Sequence, residues 1–256
     1  PKNADAWNHN GIALHYLSRF DDAIACYDKT IEIDPKHSSA RSNKGSALLD
    51  LKKYEEAVAS FDKAIEIDPK NADACVNKGF VLGRKLDRHN DAIASFDKAI
   101  EIDPKNTHAW NYKGIVLSSL SRHDDAIACY DKAIEIDPKD VYYYYFNKGI
   151  SLRRLKKYEE AIASYDKAIE IKPGDADIWK QKAIASRFLK KYDDAMVYYD
   201  KAIKIDPKNA EAWEGMRVTL KKLGCPEYDP RCASCDHYPW TGVFPNTRYM
   251  ESNTTP

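Results

Sequence analysis

One nine-residue string dominates the sequence. "DKAIEIDPK" stands at residues 62–70, 97–105 and 131–139, with close copies at 28–36, 166–174 and 200–208. Its proline sets a period: Pro35, Pro69, Pro104, Pro138, Pro173 and Pro207 lie 34, 35, 34, 35 and 34 residues apart. A fixed period of this size marks a stack of supersecondary units, so the length of 256 residues sets no domain count by itself. One extra residue falls near "LDRHN", between two helices, and the other near "DVYYYYF", at a helix start.

Each unit carries two helical patterns. In the second unit Ala57, Val58, Phe61, Ala64 and Ile65 form one apolar stripe at helical spacing. The stripe ends at Asp68–Pro69, because proline lacks the amide proton and forces the preceding residue out of helical geometry. The earlier half, "ARSNKGSALLDL", is a second helix. Its Gly45 recurs as Gly11, Gly79, Gly114 and Gly149. Glycine costs about 1 kcal/mol inside a helix, so its return implies close approach of another helix. Ala57 and its counterparts Ala23, Ala92, Ala126, Ala161 and Ala195 are expected to face it. Tyr27, Phe61, Phe96, Tyr130, Tyr165 and Tyr199 supply the large apolar body of each layer.

These residues resemble the tetratricopeptide repeat, whose pattern of Trp, Leu-Gly, Tyr, Ala, Phe, Ala and Pro the fourth unit shows in Trp110, Gly114, Ala126, Tyr130, Ala133 and Pro138. The resemblance covers residues 4–209 as six units, at about 4–37, 38–71, 72–106, 107–140, 141–175 and 176–209. It departs where Asn10, Lys44, Lys78 and Lys113 replace the Leu before the Gly. It also departs at Ala183, which replaces the sixth Gly and predicts a helix pair set slightly apart. Trp213, Met216, Leu220 and Leu223 continue at helical spacing over 210–223, as a capping helix would, closing an array over 1–223. "PKN" at the start matches the tail of a further unit, an expectation that the array extends upstream. The resemblance implies an all-α fold: an α-solenoid, a right-handed superhelix of antiparallel helix pairs, with a concave wall lined by the first helix of every unit.

Little here points to catalysis. Lys+Arg and Asp+Glu are 40 each, so the net charge is zero, against a general nucleic-acid partner. No apolar run is long enough to span a bilayer and no basic-then-apolar leader is present, so no membrane is expected. Phosphate loops, nucleophile elbows and helical His pairs at metal spacing are absent from the sequence. Glu66, Glu101, Glu135 and Glu170 are expected in surface ion pairs with lysines such as Lys63 at i, i+3. Cys26, Cys75 and Cys129 read as small buried hydrophobes, which favours a reducing, cytoplasmic setting. The irregular tail, 224–256, places Cys225, Cys232, Cys235 and His237 as C-x6-C-x2-C-x-H. That set would suit a structural zinc ion, or else reduced thiols or a disulfide; no other cofactor is implied.

The family resemblance implies which first-helix positions turn inward. The sixth position gives His9, Asn43, Asn77, Tyr112, Asn147 and Gln181, with Asn111 one residue away. An Asn amide both donates and accepts, so such a row resembles the asparagine ladder in the repeat arm of O-linked N-acetylglucosamine transferases, which grips peptide backbone. The same residues equally suit plain polar lining of a wet groove. Arg153, Arg154, Lys180 and Arg187 form a basic end suited to an acidic segment. Phe80, with Ile115, Ile150 and Phe188, offers apolar grip. The expected function is a non-catalytic scaffold that binds a peptide or extended protein segment in this groove. The alternatives are an accessory arm of an enzyme whose catalytic domain lies elsewhere, and self-association.

Overall fold

The computed structural model describes residues 3–138 and 141–224. They form thirteen helices and, among the described residues, no strand. The first helices of the six units are α1 (Ala4–Tyr16), α3 (Ser38–Asp50), α5 (Ala72–Lys85), α7 (Thr107–Ser119), α9 (Tyr142–Arg154) and α11 (Ala176–Phe188). The second helices are α2 (Phe20–Ile33), α4 (Tyr54–Ile67), α6 (His89–Ile102), α8 (His123–Ile136), α10 (Tyr158–Ile171) and α12 (Tyr192–Ile205). A final helix, α13 (Ala210–Lys222), packs on α12 and α11, as the capping reading requires.

Two turns alternate along the chain, and each is written in the sequence. Inside a unit the first helix ends at a Leu and the next residue turns left-handed: Ser18, Lys52, Asp87, Ser121, Lys156 and Lys190 have φ between 53° and 63°. In the first unit Ser18 N–H bonds His15 O and Arg19 N–H bonds Leu14 O, which is the Schellman pattern. The third unit departs from it. There Leu86 N–H reaches Val81 O and Arg88 N–H reaches Leu82 O, so the extra residue widens the last turn of α5. Between units, Asp34, Asp68, Asp103 and Asp206 accept from the backbone of Lys36, Lys70, Lys105 and Lys208, each at 3.0 Å. Asn71, Asn106 and Asn209 then cap the following helix. The indoles of Trp110, Trp179 and Trp213 donate to the proline carbonyls of 104, 173 and 207 at 2.9–3.0 Å, tying each turn to the helix after it.

The core is a row of layers. Ala23, Ala57, Ala92, Ala126, Ala161 and Ala195 are fully buried, as are the aromatic rings that follow four residues later. The repeated glycines of the first helices face those rings, whereas Gly83, a further glycine of α5, faces Ala92 and Val116. A Cβ on Gly11, Gly45, Gly79, Gly114 or Gly149 would lie 2.5–2.7 Å from the ring edge of Tyr27, Phe61, Phe96, Tyr130 or Tyr165. At the repeated position it is the ring edge that needs the hole. In the sixth unit Ala183 fills the hole, yet α11 and α12 pack as closely as any other pair. The ring yields instead: Tyr199 lies against Gly215 of α13, whose Cβ would fall 2.4 Å from its Cζ.

Adjacent units are also joined by a repeated ion pair. Lys44–Asp28, Lys78–Asp62, Lys113–Asp97, Lys148–Asp131 and Lys182–Asp166 stand at 2.5–2.6 Å, each linking a first helix to the second helix before it. The lysines that break the family's Leu-Gly pattern are therefore inter-unit ties. Asn10, at the same position in the first unit, donates to Cys26 Sγ instead. Glu66, Glu135 and Glu170 form the expected exposed i, i+3 pairs with Lys63, Lys132 and Lys167, and Glu32 does so with Lys29, while Glu101 makes no such pair with Lys98.

Candidate binding groove

Successive first helices touch one another along the whole array, from α1 on α3 to α11 on α13. Successive second helices do not touch. The first helices therefore lie on the inside of the curve. A groove pocket of about 540 Å³ opens there, lined by Ser39, Ser42, Asn43 and Ser46 of α3, Asp73, Val76 and Asn77 of α5, and His108 and Tyr112 of α7. The capping residues Asn71 and Asn106 complete it. Asn43, Asn77 and Tyr112 thus line one pocket. Phe80 joins them, its ring 5.2 Å from that of Tyr112, while His108 stacks on the same tyrosine at 6.2 Å. His108 reads from sequence as an ordinary polar position; applying the inward register to every unit would have placed it in the wall.

The asparagines are not equivalent. Asn43 donates to Asn8 at 3.1 Å and Asn147 donates to Asn111 at 3.4 Å. Asn8 and Asn111 are buried, 6% and 4% exposed. Asn111, at the wall position that Ser42 and Val76 hold in their units, is buried and orients Asn147. Asn77 makes no hydrogen bond to another described residue, so its amide keeps both donor and acceptor toward the groove.

The basic end also differs from expectation at one residue. Lys180 is buried and bonded to Asp177 at 2.6 Å and Glu211 of α13 at 2.8 Å. Burial lowers its pKa, but the two carboxylates outweigh that and hold it above the ordinary lysine value. Lys180 is a tie between the last unit and the cap, with its charge already answered. Arg153, Arg154 and Arg187 make no ion pair among the described residues. Arg153 lies against the Tyr165 phenol, and Gln181 is half-buried on the helix that carries Arg187. Phe188 is 52% exposed and stacks flat on Tyr158 at 5.1 Å. In the tyrosine run, Tyr144 is core and its neighbours are half-buried. Burial pushes the thiols of Cys26, Cys75 and Cys129 up, the last to about 11, so they stay protonated. The set Cys225, Cys232, Cys235 and His237 lies outside the described residues.

Family models described as tetratricopeptide repeat match residues 1–72, 108–140, 142–175 and 176–209. One repeat described as protein prenyltransferase alpha subunit repeat matches residues 89–120, across α6 and α7. No curated protein matches the chain significantly. Among solved structures, YrrB, a tetratricopeptide-repeat protein with an unusual peptide-binding site, is 26% identical with a TM-score of 0.63, over 73% of this chain and 96% of its own. MamA is 25% identical with a TM-score of 0.60, over 68% of this chain and 94% of its own. PilF of Pseudomonas aeruginosa shares the fold alone, at 18% identity and a TM-score of 0.71, over 82% and 95% of the two chains. Repeat period, layered helix pairs and family matches agree: the chain belongs to the tetratricopeptide repeat family, whose members are generally protein–protein interaction scaffolds.

Proposed function

We propose that the chain holds an extended peptide segment of a partner protein along its concave wall. The observation that carries this reading is the pocket across α3, α5 and α7, where the unpartnered Asn77 amide sits beside the half-buried rings of Tyr112 and Phe80. The amide matches the donor and acceptor of a peptide unit, and the rings offer apolar contact for a side chain beside it. The wall is preformed by packed helices, so little ordering entropy opposes binding. YrrB, among the similar structures, is described by its peptide-binding site, which supports the same use here. Peptides selected from a random library on the intact array test the reading. Their affinity is expected to fall more than tenfold on Asn77→Ala with Tyr112→Ala, and to be indifferent to Lys63→Ala on the outer helix α4. Equal affinity for all three proteins would overturn the reading.

A further inference from the structure

Most arginines of the array that lie near a carboxylate are forked to it. Arg19–Asp22, Arg88–Asp91, Arg122–Asp125 and Arg217–Glu214 close at 2.6–2.7 Å. Arg153 and Arg187 are held differently. The Arg153 guanidinium lies beside the Tyr165 phenol without reaching hydrogen-bond geometry, and its Nε is buried with no partner. The Arg187 guanidinium carbon stands 5.8 Å from the Phe188 ring. Rings orient both groups and neutralise neither. Each arginine follows by seven residues a residue at the position that Ser42 and Val76 occupy in the groove wall, so both lie on the inward face of their helices.

The polar atoms around them are also unanswered. Seven side-chain polar atoms among the described residues are buried without a partner, and three belong here: Arg153 Nε, Tyr165 OH and Tyr199 OH, the last within the field of both arginines. Tyr199 is fully buried, and its hydroxyl lies where a Cβ on Gly215 would be, 2.5 Å away. On the neighbouring helices Asp177 and Glu211 bond Lys180, and Glu214, which also feels the Arg187 charge, is forked to Arg217.

On the reading that the concave wall holds a peptide, we infer that Arg153 and Arg187, which flank the buried Tyr199, form a subsite that takes an aspartate or glutamate side chain of the bound segment. Two guanidinium forks supply donors, and a carboxylate supplies only acceptors. Such a ligand would answer the charge that the fold leaves open at the cap end, while the pocket over α3, α5 and α7 grips backbone.

Fluorescence polarisation with a labelled, C-terminally amidated hexaglutamate tests this, since the amide leaves only side-chain carboxylates. The chain is expected to bind it with an affinity that falls as salt is added. Arg153→Gln with Arg187→Gln is expected to weaken it at least tenfold. Lys98→Gln with Lys105→Gln removes the same charge from exposed sites elsewhere and is expected to change it less than twofold. Arg153→Lys with Arg187→Lys keeps the charge, loses the fork, and is expected to fall between; it also serves if the glutamine pair unfolds, as melting curves would show. No binding by the unmodified chain, or equal loss in the two glutamine pairs, overturns the subsite. Asn77→Ala with Tyr112→Ala separates the two readings. Hexaglutamate held by the arginines while library peptides ignore Asn77 would keep the subsite and fell the peptide groove. The opposite pattern would do the reverse.

Discussion

Replacing Gly114 by alanine is expected to destabilise the array, although alanine is the better helix former. The new Cβ would lie 2.6 Å from Cε1 of Tyr130, closer than carbon atoms approach, and that ring is 1% exposed with packed helices around it. Relief requires moving the ring or parting the helices. Overpacking of this kind costs about 1–3 kcal/mol, against a propensity gain of about 1 kcal/mol. The ring is enclosed on all sides, so the upper part of that range, about 2–3 kcal/mol, applies, and the net loss expected is about 1–2 kcal/mol, or a drop in melting temperature of about 2–4 °C for each kcal/mol. Shortening the ring as well, with Tyr130→Leu, should make the double variant more stable than the sum of the singles predicts, by about 1 kcal/mol. The reverse change at the matching site is also expected to destabilise. Ala183→Gly opens a hole that Tyr199 has already left for Gly215, and forfeits helix propensity. Thermal and urea melts of the whole chain, followed by circular dichroism, read all four proteins. A neutral or stabilising Gly114→Ala would refute the account of the glycines as ring clearances.

Three further outcomes follow from the same packing. Asp166→Ala strands Lys182, whose side chain is only 9% exposed between Trp179 and Tyr198, and is expected to cost about 1–3 kcal/mol; Asp28→Ala, facing a more exposed Lys44, is expected to cost less than about 1 kcal/mol in the same melts. Alkaline unfolding should follow the buried phenols. Burial raises Tyr27 and Tyr165 to about 12 and lifts Tyr130 and Tyr199 as well, against about 10 in an unfolded chain. Their contribution to stability is complete below about pH 10 and lost as pH climbs towards 12; phenolate absorbance of these tyrosines should rise together with loss of helix, and full titration with helicity intact would count against it. Ser121→Gly relieves a left-handed residue at φ 61° and is expected to raise stability by a few tenths to about 1 kcal/mol, measured by urea midpoint.

Period and punctuation are local properties, so the helix pairs are legible in the residue pattern alone. The proline after each apolar stripe marks where second helices stop, and the Asn that follows marks where first helices begin. Rotation about a helix axis is harder to read. Alanine and ring both recur in register, so the pattern alone cannot say which of them meets the glycine; the ring edge decides that through tertiary contact. Lys44 looks like a departure from the family until Asp28, sixteen residues earlier and in another unit, is seen beside it. Asn43, Asn77 and Tyr112 share one position of their units, which periodicity can read, and they line one pocket. The bonds that claim Asn111 and Lys180 are not legible there, because Asn147 and Glu211 reach them from neighbouring helices that periodicity cannot identify.

The recurring lysine–aspartate tie has a consequence for how the chain finds its shape. Five junctions carry the same bond at nearly the same length, so each second helix displays a complementary edge to several wrong partners as well as the right one. A newly made chain must tell its own joints apart, and mismatched docking, within one molecule or between two, is the characteristic hazard of such arrays. The features that break the monotony then act as registration marks: the widened turn after α5, Tyr144 in place of a small residue, and the missing lysine at Asn10. Trimming those irregularities towards a uniform repeat would leave every finished contact in place and make the correct order of assembly harder to find.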